Sequence, residues 1–461
     1  MSGLIHSNEK YMLTADSPYR LFNEGNMFFE CGAINPWDPG AEVPTYTGWK
    51  DEQMSWKTDC YIGDWTNCLE EMYVSGPDAL KFLTDFVTNT MVPEKFEVGR
   101  AKHYVTCTPD GKVAGEGILF RLAEDEFMIQ CSAQYMYYLF ETHKDQYNAT
   151  ARIAKQTMHG NVQMEAELFK IQVSGPKALY LVEKVTGQSM RCLKFMHFTK
   201  ITVNGRELYA LRSGMAGEIG FELQGKMEYF DEIYQYLFEQ GREFNCRRLG
   251  SRDGMINHLE ACFPTQTVHF LTSHLYDEDF LKYNDEQGWQ IFYPTVQGSF
   301  DGDIRELSLN PYEMGWTSSV KFDHEFRARE ALEKLSQANN RTVVTLEYDA
   351  EDVVDLTASQ FKKDETPYDC FDMPMTQFIV LQANKVLDAD GKFIGISTTP
   401  GYSYYFRRVI SLTFIDPAYA EPGTRVQVIW GEPDHPQKVI NATVQPAPYK
   451  KDNRRTDLKK A

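Results

Sequence analysis

Two segments of this chain echo each other. YVSGPDALKFL begins at Tyr73 and QVSGPKALYLV at Gln172, so their glycines, Gly76 and Gly175, stand 99 residues apart. That spacing is far longer than a solenoid repeat and suits a duplicated subdomain. In each copy alternating apolar residues end at Ser-Gly-Pro, and a helical pattern beginning with Ala-Leu comes next, with the proline expected in the first helical turn. The chain should therefore build strand, tight turn and helix twice. With 461 residues it exceeds one ordinary core of about 150 residues, so about three units are expected.

Between and after the two copies the signals are mainly those of strands. TPDGKVAGEGILFRLAEDEFMIQCS reads as strands around Asp110-Gly111, and KITVNGRELYALR as a hairpin on Asn204-Gly205, because Asn-Gly supplies the positive φ angles of a type I′ turn. Helices are expected at MEYFDEIYQYLFEQGREF, where Phe230, Ile233, Tyr234 and Leu237 share a face, and at GMINHLEACF. Residues 264–311 read as loop-rich. From Thr342 onward short strands separated by Gly, Pro and Asp predict a small β-barrel or sandwich, with YDAEDVVDLTASQFKKDETPYD as a helix and loop inserted among them. The division expected is a two-subdomain region over 1–335 and a C-terminal β domain over 336–461.

Charge and cysteines bound the setting. A net charge of −19 repels nucleic acid and anionic membrane alike, so a small-molecule partner is expected, with the chain a monomer or small homo-oligomer. Nine cysteines, an odd number and without C-x-x-C pairs, suit a reducing compartment. The N-terminal MSGLIHSNEKYMLTADSPYR lacks the apolar run of a signal peptide, which makes a cytoplasmic location the expectation. No H-E-x-x-H or similar spacing is present, and no metal is expected.

The segment SGMAGEIGFELQG, Ser213 to Gly225, is the most informative short stretch. Glycines at 214, 217 and 220 allow left-handed backbone and close approach of a flat ligand. The spacing is G-x-x-G-x-x-G and a strand comes after it, which excludes a dinucleotide fingerprint. On that strand Phe221 and Leu223 point one way and Glu222 the other. Glu222 is then either a solvent-facing residue or a carboxylate at the mouth of a glycine-lined slot, able to take two parallel N–H donors from a heterocycle such as a pterin.

GMAGEIGFE resembles the G-Y-T-G-E-x-G-[FY]-E segment of the glycine-cleavage T-protein (aminomethyltransferase) family. Further pieces agree in order: the two SGPxAL turns, GSRDGMINHLEA at 250–261, NPYEMGWTSSVKFDHEFRAREAL, and GKFIGISTTPGYS. Within the superfamily, KFDHEF, the insertion ahead of Asn310 and GYSYYFRRVISL look most like the bacterial tetrahydrofolate-dependent aromatic O-demethylases of the vanillate and syringate type. The resemblance implies an α+β fold of duplicated ferredoxin-like subdomains with a C-terminal β-barrel. It also implies tetrahydrofolate as cofactor and transfer of a one-carbon group to its N5 without a metal.

Carried over residue by residue, the resemblance assigns Glu222, Gln172 and Arg252 to the folate, with Lys450 near its glutamate tail. The substrate positions depart from the pattern. Gly254 stands where a tyrosine is expected, Ser132 and Cys68 replace the arginine and histidine that hold a benzoate, and Phe29 replaces an N-terminal aromatic. A buried carboxylate without a cation costs several kcal/mol, so the expected donor is an uncharged aromatic, either a methyl ether or a lignan-type methylenedioxy ring. Trp65 and Phe263 are candidate walls, with Phe28 and Tyr135 beside them, and Glu116 and His258 are the two candidates for the acid that protonates the leaving oxygen. Two other readings stand beside this one: an aminomethyltransferase acting on an amine, and a folate-binding regulatory protein without turnover.

Overall fold

The computed structural model describes residues 45–66, 70–154, 167–250, 252–288, 294–375 and 380–460. The strand, turn and helix expected twice are present twice. Strand Glu71–Ser75 leads through Gly76 to helix Ala79–Phe86, and strand Leu168–Ser174 leads through Gly175 to helix Ala178–Thr186. Both glycines take left-handed backbone, φ 127° and 130°. A Cβ on Gly76 would lie 2.8 Å from the Asn148 carbonyl oxygen, and one on Gly175 2.6 Å from that of Asp59. Only glycine fits either turn. Pro77 and Pro176 sit in the turn itself, one residue ahead of the capping positions Asp78 and Lys177, so they shape the approach to each helix instead of its first turn.

Each copy belongs to its own sheet, and the two sheets share a strand order. In one, Ala101–Cys107, Val113–Ala123, Glu126–Gln130, Glu71–Ser75 and Thr150–Ile153 lie side by side in that order. In the other the corresponding succession is Phe198–Val203, Arg206–Leu211, Gly220–Lys226 and Leu168–Ser174, continued by Tyr61–Asp64 and Arg247–Leu249. Tyr61–Asp64 precedes both copies in sequence yet pairs with the second, so the subdomains interlock. Helices Ala79–Phe86 and Ala133–His143 cover one face of the first sheet, while Ala178–Thr186 and Phe230–Gly241 cover one face of the second. The opposite faces meet through Ala101, Phe120, Met128, Phe198 and Leu211. Buried polar pairs join the sheets as well: the Gln130 and Gln224 amides exchange hydrogen bonds of 2.9 and 3.2 Å, and Lys170 Nζ meets Glu71 Oε1 at 2.8 Å.

The C-terminal strands close into a six-stranded barrel. Val380–Leu387, Phe393–Ser403, Arg408–Ile415, Thr342–Tyr348, Lys438–Gln445 and Arg425–Trp430 pair in sequence around it, and the last pairs back to the first. Thr295–Gln297, from ahead of position 336, adds at one side. The Asn204-Gly205 hairpin forms as expected, with both residues at positive φ. The loop-rich reading of 264–311 missed a helix, Glu278–Glu286, whose Asp277 cap accepts from Phe280 N. Phe280 anchors it in the first core, a tertiary contact that a short polar helix does not advertise in sequence. Among the described residues no helix is long and apolar enough to cross a membrane.

Candidate active site

A cavity of about 920 Å³ opens where the two sheets, the helix Gly254–Ala261 and the C-terminal tail meet. That volume is at the upper end of the range of about 300–1,000 Å³ typical of small-molecule sites, which leaves room for two ligands side by side.

Its floor is set by strand register. Gly220–Lys226 pairs antiparallel with Leu168–Ser174 and sets Glu222 directly opposite Gln172, so both side chains rise from one face. Phe221 and Leu223 go to the other face, fully buried in the core of the second subdomain. The preceding loop folds tightly on itself: Gly217 has φ 66°, and a Cβ on Gly220 would lie 2.6 Å from the Ser213 carbonyl oxygen. Glu222 lies deep in the protein, and the partial exposure it retains is exposure to the cavity. Burial pushes its carboxyl up to about 7, against the opposing pull of a hydrogen bond from Ser213 and the charge of Lys170.

Gln172 is oriented by the Tyr61 hydroxyl, which donates to its Oε1 and accepts from Asn257 Nδ2 at 3.3 Å. Its Nε2 is buried with no partner among the described residues. A carboxylate beside an unpaired amide N–H₂ calls for a flat ligand carrying adjacent N–H donors and an acceptor. The pterin edge of tetrahydrofolate carries both, so the residues present fit that cofactor.

A second wall comes from the hairpin Ala101–Cys107 and Val113–Ala123. Glu116 lies opposite Val105, which puts His103, two residues along, on the same face. His103 Nε2 is 2.9 Å from Glu116 Oε2, and the carboxylate is nearly fully buried. The Trp316 ring meets His103 edge-on at 4.8 Å between centroids.

The third wall is the helix Gly254–Ala261 and the turn after it. Glu260 pins this helix by accepting from Trp56 Nε1 at 2.9 Å, Lys57 Nζ at 2.5 Å and Ser403 Oγ at 2.6 Å. Earlier on the same helix, His258 Nδ1 lies 2.9 Å from Thr265 Oγ1, which is also 3.1 Å from the Phe263 carbonyl. Nε2 lies 3.1 Å from Met215 Sδ, a thioether that only accepts, so Nε2 carries the ring hydrogen and Nδ1 accepts from the Thr265 hydroxyl. Burial, with a smaller push from Arg454, lowers His258 to about 3, so the ring is neutral at physiological pH. Trp65 stacks on it at 5.9 Å and 14°, and Phe263 lies 5.0 Å away. The Trp65 ring is 3.1 Å from where a Cβ of Gly254 would be, so it fills the space a side chain at 254 would take. Its Nε1 is buried without a partner among the described residues.

Of the residues expected from sequence, Glu116, Gln172, Glu222, His258, Trp65 and Phe263 all line this one cavity. Gly254 supports it from behind through Trp65. Ser132 stands at the start of the helix Ala133–His143 and donates to Gln266 Oε1 at 3.1 Å, one residue back from the lining. Arg252 reaches away, to the Met373 carbonyl, and Lys450 is buried in an ion pair with Glu218. Phe29 and Cys68 lie outside the described residues. His103, Trp316 and Lys170 were missed. His103 was within reach, since the turn at Asp110-Gly111 fixes the register that puts it beside Glu116; Lys170 and Trp316 depend on the meeting of distant segments. Missed too was the charge of the lining, where seven lysines and arginines outnumber three carboxylates.

The pattern of the GCVT N-terminal domain family matches residues 25–269. Sesamin methylene transferase of Sinomonas sp. is 32% identical over 419 residues, covering 88% of this chain and 89% of that protein. Syringate O-demethylase of Sphingobium sp. is 31% identical over 419 residues with the same coverage of each. Among solved structures, the glycine cleavage system aminomethyltransferase T from Bartonella henselae superposes with a TM-score of 0.65, covering 91% of this chain and 94% of that one at 16% identity, a likeness of fold. Two interlocked sheets and a closed barrel around one cavity thus agree with the sequence matches, and the chain belongs to the GCVT N-terminal domain family.

Proposed function

We propose that this protein is a tetrahydrofolate-dependent one-carbon transferase that takes its carbon from an uncharged aromatic ether. The observation that carries the reading is the Glu222 and Gln172 pair, a buried carboxylate beside an unpaired amide, set in a cavity walled by Trp65, Phe263 and Trp316. One relative is named for methylene transfer from sesamin and the other for O-demethylation of syringate. Bound here, tetrahydrofolate supplies N5 as the nucleophile. Glu222 and Gln172 hold the pterin edge, and the basic lining, including Arg454 and Arg455, meets the carboxylates of the tail.

The donor ring lies against Trp65, the neutral His258 and Phe263. That corner supports an uncharged donor, because His258 cannot serve there as a cation and Ser132 gives its hydroxyl to Gln266. Orientation of the ether carbon towards N5 supplies much of the rate. A methyl ether yields a phenol and 5-methyl-tetrahydrofolate, and a methylenedioxy ring yields a catechol and 5,10-methylene-tetrahydrofolate; neither needs an oxidant.

The test is incubation of the purified protein with tetrahydrofolate and a panel of neutral methoxy- and methylenedioxy-aromatics, with folate products read by mass spectrometry. One of the two folate products, with its matching phenol or catechol, is expected, while vanillate and syringate turn over at least tenfold more slowly. Cofactor binding without turnover of any ether would favour the regulatory reading, and turnover of an aminomethyl donor the amine one.

A further inference from the structure

The departing oxygen of an aryl ether leaves as a phenolate, a poor leaving group unless it is protonated as the bond breaks. We infer that His103 delivers that proton and that Glu116 is its positioning residue, an assignment that rests on the function proposed above.

Four observations point to this histidine. First, His103 Nε2 is 2.9 Å from Glu116 Oε2, and an ionised carboxylate only accepts, so Nε2 carries a hydrogen. The adjacent negative charge compensates an imidazolium, whose second N–H is at Nδ1. Secondly, Nδ1 makes no hydrogen bond among the described residues, and the quarter of the side chain that is exposed belongs to a residue lining the cavity. Thirdly, Phe263 neighbours both histidines, 6.4 Å from His103 and 5.0 Å from His258, which sets His103 beside the aromatic corner proposed for the donor ring. Fourthly, the alternative is disabled: burial keeps His258 neutral, and both of its ring nitrogens are already engaged, Nδ1 with the Thr265 hydroxyl and Nε2 with Met215 Sδ.

The step balances without another reactant. The bond from the ether carbon to N5 forms as the carbon–oxygen bond breaks, the bonding pair stays on oxygen, and that oxygen takes the Nδ1 proton of His103. The Nε2 hydrogen bond to Glu116 persists throughout. The N5 proton of the cofactor is lost to water, and water restores the imidazolium.

The discriminating experiment compares native protein with His103→Asn and Glu116→Gln on a series of neutral aryl methyl ethers of graded phenol acidity, single-turnover rates being plotted against the pKa of the departing phenol. Tetrahydrofolate affinity is measured in parallel to show that each variant is folded with an intact pterin site. With a proton donor in place the native plot is shallow. Loss of His103 should steepen it, slowing the least acidic phenols about 10²–10⁴-fold and an ether with a nitro-activated phenol less than tenfold; Glu116→Gln should steepen it by less. Parallel plots for native protein and His103→Asn would overturn the assignment while leaving the proposed function standing. Failure of the native protein to pass a carbon to tetrahydrofolate from any methoxy- or methylenedioxy-aromatic would overturn both. If His103→Asn loses cofactor binding, the Glu116→Gln slope decides alone, and a slope equal to the native one again counts against the assignment.

Discussion

At the scale of single residues, the site is organised around a carboxyl that the fold holds at a cost. Glu222 ordinarily loses its proton near 4.5, but burial raises that to about 7 in the folded chain. Between those values the native state binds more protons than the unfolded one, so stability falls as pH rises through this window, and the whole penalty is present above 7. Glutamine at 222 carries no such penalty. Glu222→Gln should therefore be more stable than the native protein at pH 8, by about 1–2 kcal/mol once water in the cavity is allowed for, and the gap should narrow towards pH 6. Thermal melts at the two pH values check this, and a gap that widened on acidification would contradict it. Such an exchange of stability for function is expected where a site needs a charge in a buried place.

Glu222 was legible in the sequence because alternation along a strand is rigid: with Phe221 and Leu223 in a core, the residue between them had to face away. Its depth was not legible, since the sequence left a solvent-facing glutamate equally open. His103 shows the converse limit. Its partner across the hairpin was readable, but nothing in AKHYVTC tells that this face of the strand meets a cavity instead of water.

At the scale of elements, the repeated Ser-Gly-Pro turns carry the architecture. Each glycine has positive φ and presses against a carbonyl oxygen of a neighbouring segment, so alanine would add both backbone strain and a clash that a rigid main chain cannot relieve. Gly76→Ala and Gly175→Ala should each cost about 2–4 kcal/mol in chemical denaturation. Gly187→Ala is the control: φ is 66° there, but no atom lies within 4 Å of the added carbon, and about 1 kcal/mol is expected. Equal costs at the three positions would show that packing at the turns contributes nothing. These turns were readable because glycine and proline act locally. The helix Glu278–Glu286 was not, because what holds it is Phe280 in a core formed by residues far away in sequence.

For the whole molecule, the contrast between surface and cavity matters most. The chain carries a net charge of −19, yet its cavity is lined by more cations than carboxylates. The overall field opposes an anionic cofactor, and the local one draws it in. Tetrahydrofolate affinity should accordingly fall with added salt, and the double substitution Arg454→Gln with Arg455→Gln should flatten that dependence with little effect on the pterin end. The net charge was plain from composition, but the sign of the cavity depends on which residues the fold gathers, and no count reveals it. The duplicated sheets and the barrel were legible as wholes because strand patterns and turn chemistry agree at every level; the cavity between them is a property of their meeting.

The central claim is that the carboxylate on the inner face of the second sheet grips a reduced pterin. Calorimetric titration of tetrahydrofolate into the native protein and into Glu222→Gln at pH 8, where the native side chain is ionised, tests it directly. A weakening of 100-fold or more, about 3 kcal/mol, is the predicted result. An unchanged dissociation constant, with the variant folded, would contradict the account.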